Sequence, residues 1–226
     1  MFKNKTNPIR NEKKTNSYFG FGETYNMKIL ILTHARSGGL SLMRWIEYEK
    51  SFKSFHEPNL KDSQILNQIY DNDNIVVKIL PGDNGKFEKE FDYLKFINHF
   101  DVVIIHKRIN TRESAISLIK SGEENEWHKP YTIDNEWLEN NEIKIQNESF
   151  QLEMIHKNLD VYKTNETLNT TYESIYNDKT DIDKLCFILK IKEAIWLDIL
   201  DSRHRLQNGQ LGMERYKAKE GKSKLI

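Results

Sequence analysis

The chain has 226 residues, with 34 Lys and Arg balanced by 34 Asp and Glu. A formal charge of zero supplies no global field toward nucleic acid or an anionic membrane, so neither is an expected partner. The length suits one domain burying a sheet between helices and leaves little room for two.

Residues 1–26 are rich in Asn, Lys and Thr and lack a sustained apolar period, which predicts a mobile arm or a loosely docked extension. A single α/β domain is expected over 27–226. Its first strand runs from Ile29 to Leu32, apolar without alternation as in a strand covered on both faces, and a helix follows from about Leu40 to Glu49. The turn between them, Arg36-Ser37-Gly38-Gly39-Leu40-Ser41, has the makings of a phosphate cradle. Small residues let the backbone approach an anion, whose charge is stabilised by helix N-terminal N–H groups and by the Arg36 guanidinium. The spacing is not that of a Walker A loop, because no lysine precedes Ser41.

His56-Glu57-Pro58 follows the first helix and offers two candidate bases. The next strand, Ile75 to Leu80, carries Lys78, which either reaches a cleft or snorkels from the strand end. A polar-amphipathic helix around Phe87 to Asn98 then leads to a strand from Val102 to His106. Lys107 and Arg108 close that strand, and a helix beginning near Thr111 carries Ser117. In an open α/β sheet ligands bind at the carboxyl ends of strands, where Arg36 and Arg108 both emerge. The plainer reading is that Lys107 and Arg108 are strand-end surface charges and Ser117 a small packing residue.

The stretch Trp127 to Asn147 is polar with scattered aromatics, and Trp127 and His128 form either part of an acceptor pocket or a structural pair. Helices are expected from Glu148 to Val161 and from Asp181 to Leu189. Cys186, the lone cysteine, sits in an apolar run and reads as a small buried hydrophobe. Lys217 to Lys224 form a charged tail, either solvated or closing over an anion. Without an apolar leader after Met1 or a membrane-length apolar run, a cytoplasmic protein is expected. No residue set has metal-ligand spacing, and none is expected to bind metal. The alternation of elements predicts a three-layer α/β fold, a mostly parallel sheet with helices on both faces.

Together these segments resemble the sulfotransferases that use 3′-phosphoadenosine-5′-phosphosulfate (PAPS), especially the branch that includes bacterial trehalose sulfotransferase. Arg36-Ser37-Gly38 is similar to the start of the R/K-S-G-[ST]-[ST] loop that holds the 5′-phosphosulfate, with Gly39 and Leu40 standing where hydroxyl residues are usual. Arg108 and Ser117 are similar to the pair that binds the 3′-phosphate, and Thr171-Tyr172-Glu173-Ser174-Ile175 to a late Y-E-x-[LI] segment. The resemblance covers about Met27 to Ile191.

The resemblance implies a P-loop-like sulfotransferase fold and transfer of a sulfuryl group from PAPS to a hydroxyl or amine of a carbohydrate or small metabolite. Adenosine 3′,5′-bisphosphate is the product, and no metal is needed. It implies nucleotide contacts from Arg36, Ser37, Gly38, Gly39, Leu40, Ser41, Arg108 and Ser117. Arg36 is then the cation at the bridging oxygen and Glu57 the first-choice base, with His56 second and His106 third. Partial burial is expected to raise the Glu57 pKa. Acceptor contacts fall to Glu57, Lys78, Trp127 and His128, and a homodimer is left open. Two other readings stand beside this one: a kinase-like phosphotransferase, and a non-catalytic nucleotide- or sulfate-binding protein, to which the Gly39-Leu40 departure points.

Overall fold

The structure, a computed structural model, describes residues 26–81, 91–124, 133–163 and 167–191. Among the described residues five strands form one sheet: β1 (Met27–Thr33), β2 (Lys53–His56), β3 (Asn74–Ile79), β4 (Val102–Lys107) and β5 (Leu168–Thr171). Their spatial order is β2-β3-β1-β4-β5 and every pairing is parallel. The three central strands are the apolar runs the sequence marks. β2 and β5 lie at the edges, where Lys-Ser-Phe-His and Leu-Asn-Thr-Thr carry polar residues that a central strand would not tolerate.

Helices cover both faces. Helices α1 (Gly39–Lys50), α6 (Tyr172–Tyr176) and α7 (Ile182–Leu189) pack on one side, where Ile29 and Ile31 of β1 meet Leu42, Met43, Trp45 and Ile46. On the other side Leu30 and Leu32 meet α2 (Ser63–Asp71), α3 (Tyr93–Ile97), α4 (Thr111–Glu124) and α5 (Asn135–Asp160). The alternation of β1 between two cores is the period of two, and it explains why no polar residue interrupts the run.

Two expected boundaries move. The helix expected around Phe87 to Asn98 spans Tyr93–Ile97, with Phe91 outside it, Asp92 as its N-cap, and residues 87–90 outside the described set. The helix expected from Glu148 begins at Asn135, where Asp134 caps it by accepting from the Trp137 N–H at 2.7 Å. The polar stretch is therefore helical through its second half, with Leu138 and Ile145 on its packed side. The N-terminal extension, Trp127, His128 and the Lys217 to Lys224 tail lie outside the described residues. No described helix is long and apolar enough to cross a membrane.

The strand order creates a switch point. The chain leaves β1 through α1 on one face and leaves its neighbour β4 through α4 on the other, so the two exit loops part above the sheet. A crevice at such a point is where open α/β sheets bind ligands.

Candidate functional site

The loop from His34 to Gly38 turns β1 into α1. Arg36 (φ 61) and Gly38 (φ 87) both take left-handed backbone, which reverses the chain within a few residues. Gly38 has a second constraint, because a Cβ there would lie 2.9 Å from Cδ2 of Tyr172 and 3.0 Å from Cε2 of Tyr176. Those rings are stacked, centroids 4.5 Å apart, and the Tyr176 hydroxyl donates to the Gly38 carbonyl at 3.0 Å. Ser37 turns inward: its hydroxyl bonds to Thr33 and accepts from the Gly39 N–H at 3.3 Å. Ser41 is buried, its N–H bonding to the Gly38 carbonyl, and Leu40 packs against the core. Helix α1 thus starts without a side-chain cap and without an acidic residue in its first turn.

Two histidines bind the exit loops to each other. His34, at the end of β1, donates from Nδ1 to the Ala35 carbonyl at 2.8 Å and accepts the Arg108 N–H on Nε2 at 3.0 Å. His106, on β4, donates from Nε2 to the Ser37 carbonyl and accepts from the Thr170 hydroxyl on Nδ1, each at 2.9 Å. Carbonyls only accept, so the partners dictate the tautomers: Nδ1–H for His34 and Nε2–H for His106. Burial, the largest cause, lowers His34 to about 3, with nearby His156 adding to it, and lowers His106 to about 4. Both rings are neutral. His106, expected as a third base, has both nitrogens engaged away from water and serves to hold the loop.

The predicted anion residues meet across the switch point. Arg36 Nε donates to the Ser117 hydroxyl at 2.7 Å, joining the α1 loop to the second turn of α4. Arg108 lies elsewhere: its guanidinium carbon sits 4.4 Å over the Tyr172 ring and Nη2 pairs with Glu113. Its Nε is buried with no hydrogen-bond partner among the described residues. Ser117, expected to share an anion with Arg108, is here hydrogen-bonded by Arg36. Glu173, on α6, accepts the N–H groups of Ile109 and Asn110, both at 3.0 Å. Its carboxylate therefore occupies donors at the start of α4 that an anion would otherwise use.

A third group lies at the ends of β2 and β3. Glu57, left-handed at φ 49, donates its N–H to the Lys78 carbonyl at 2.8 Å and holds the Lys78 ammonium with its carboxylate. His56 Nε2 donates to the same carboxylate oxygen at 3.1 Å. The hydrogen bond from His56, followed by those from Lys78, overcomes partial burial and pulls Glu57 down to about 2. The expectation that burial raises this pKa is thus corrected. Lys78 is buried beside β1, paired in register with Ile31, and its charge contributes to lowering His106. It is an internal cation at the carboxyl edge of the sheet and does not snorkel to solvent.

Sequence reasoning singled out Arg36, Ser37, Gly38, Arg108, Ser117, Glu57 and Lys78, all of which lie at this edge. It missed His34, Tyr176 and the capping role of Glu173. The available signal was a histidine at the end of each of two apolar strands. Compared with protein-family models and with curated proteins, the chain finds no match.

Proposed function

We propose that the chain is a PAPS-dependent sulfotransferase, with a P-loop-like α/β fold, acting on a hydroxyl or amine of a carbohydrate or small metabolite. The observation that carries this reading is the Arg36 to Ser117 hydrogen bond. It joins the two motifs read as phosphate sites into one crevice at the β1/β4 switch point. Three features fit a nucleotide bearing two anionic groups. The first turn of α1 has neither a side-chain bond from its N-cap nor an acidic residue, Arg36 of the loop before it reaches Ser117, and Arg108 Nε is a buried donor without a hydrogen-bond partner among the described residues.

PAPS supplies an activated sulfuryl group; the chain must orient the acceptor, neutralise oxygens that gain charge, and take a proton. In this reading Arg36 neutralises the charge on the leaving side. Glu57, ionised and half-exposed, accepts a hydrogen bond from the acceptor hydroxyl and receives its proton as the O–H bond weakens. Lys78 keeps that carboxylate charged and fixed. Arg36 and Glu57 also hold strained backbone, whereas Ser51 and Lys190, two other left-handed residues, end helices as C-caps.

A second reading, a non-catalytic nucleotide- or sulfate-binding protein, is favoured by Glu173, whose carboxylate already fills the Ile109 and Asn110 donors. Thermal unfolding with adenosine 3′,5′-bisphosphate, ATP and adenosine 5′-phosphate separates the alternatives, since a ligand selective for the native state raises the midpoint. A rise with the bisphosphate, lost in Arg108→Ala, is expected. Glu57→Gln should keep that rise yet transfer sulfuryl at least about 100-fold more slowly. A rise with ATP and none with the bisphosphate overturns the sulfotransferase reading and favours a phosphotransferase. Normal binding without transfer to any acceptor favours the non-catalytic one.

A further inference from the structure

Helix α5 carries two apolar faces. One, formed by Ile145, Leu152, Ile155 and Leu159, is buried in the core. The other is open: Ile143 is 76%, Phe150 57%, Met154 39% and Val161 70% exposed. At helical pitch these four fall within a sector of about 40° opposite the buried set, a stripe roughly 27 Å long. Val161, the C-cap, keeps helical angles, so the stripe extends to it. Single exposed apolar residues are ordinary; four aligned on one helix face are not.

Their spacing is that of a helix-pairing seam. Ile143, Phe150 and Lys157 repeat every seventh residue, as do Asn147, Met154 and Val161, and the two series interleave at steps of four and three. Asn147 and Lys157 are exposed as well. We propose that this face joins two copies of the chain, α5 lying antiparallel to α5 of its partner about a two-fold axis at the level of Leu152.

The antiparallel arrangement makes the seam self-complementary. Ile143 meets the partner's Val161, and Phe150 meets the partner's Met154, a ring against a polarizable thioether. Asn147 meets the partner's Lys157, whose ammonium donates to the amide oxygen. A parallel pair would instead set Lys157 against its own copy, like charge on like. A membrane surface would leave Asn147 and Lys157 embedded in the apolar stripe without partners. The contact is isologous and closes after two copies. One unfavourable pair remains, because exposed Glu153 flanks the seam and comes opposite its own copy near the axis.

Sedimentation equilibrium of the full chain tests this. A dimer is expected, weakened about tenfold or more by Phe150→Glu or Met154→Glu and tightened by Glu153→Gln. Because both apolar side chains are exposed, these variants should keep the unfolding midpoint of the parent monomer. In a Cys186→Ser background, Ile143→Cys combined with Val161→Cys should yield an oxidised covalent dimer, and either substitution alone should not. A monomer at every concentration overturns the proposal, as does a dimer indifferent to Phe150→Glu. So does a covalent dimer from Ile143→Cys alone, or a Phe150→Glu monomer with a collapsed midpoint, which would mean that the chain itself covers the stripe.

Discussion

Gly38 is fixed by backbone angle and by neighbours at once. Alanine there would need left-handed backbone, costing about 1–2 kcal/mol, and would press on Tyr172 and Tyr176. Gly38→Ala should therefore lower unfolding stability in urea by about 2–4 kcal/mol. His34 and His106 set a pH limit. In the unfolded chain each takes a proton near pH 6.5, whereas the folded rings resist until about 3 and about 4. Below pH 6.5 the unfolded state binds more protons, so stability is complete above that pH and falls as the solution is acidified toward 4. The loss from His106 alone is on the order of 3 kcal/mol. Between pH 7.5 and 4.5, His34 and His106 should each contribute a slope in urea unfolding approaching one proton, with His156, lowered chiefly by burial, adding in the same sense. His106→Gln, whose amide reproduces the donor and the acceptor, should remove one. An unchanged slope in that variant would sink the assignment. Glu57 adds a smaller effect of the same sign, present above its ordinary carboxylate range and lost as pH falls through about 2, reduced because the carboxylate is half in water.

The helix termini differ in how they are finished. Asp62, Asp92 and Asp134 cap α2, α3 and α5, Thr171 and Ser174 form a capping box on α6, and Glu173 reaches across to the start of α4. Removing the last contact by Glu173→Ala leaves two loop N–H groups without their acceptor. It should cost about 1–3 kcal/mol in urea unfolding, and Glu173→Gln, retaining one acceptor, less. The elements that could be read in advance were those whose pattern is set by burial alone: β1, β3, β4, α1, α4 and α7. Strands β2 and β5 escaped notice because Ser54 and Asn169 interrupt short edge segments, and edge position is a property of the sheet. The early start of α5 was hidden by Glu139, Asn140 and Asn141, which mask the apolar residues around them.

At the scale of the molecule, the parallel order β2-β3-β1-β4-β5 gathers groups from four strand ends onto one edge. Arg36, Ser37, Gly38 and Ser117 were legible because glycine, a cation and a hydroxyl beside an apolar strand have few other uses. The histidine exchange was not, since it depends on Thr33 standing opposite His106, a register no local pattern encodes. Nor was the turning of Arg108 toward Tyr172, which needs the position of α6. That position has a consequence for the growing chain. The tyrosines closing over Gly38 arrive more than a hundred residues after it, and the Thr170 hydroxyl that donates to His106 and the Glu173 carboxylate that accepts from the α4 loop come with them. During synthesis α1 and the four strands β1 to β4 can associate while the loop from Arg36 to Gly38 still lacks the tyrosines that close over it. If the chain binds a nucleotide as proposed, a ribosome-stalled chain ending before Leu168 should be retained poorly on an immobilised nucleotide, and one extended past Ile191 should be retained well once the segment clears the exit tunnel. On that reading, ligand capture reports that translation has passed β5, and a premature stop yields a collapsed but ligand-blind product.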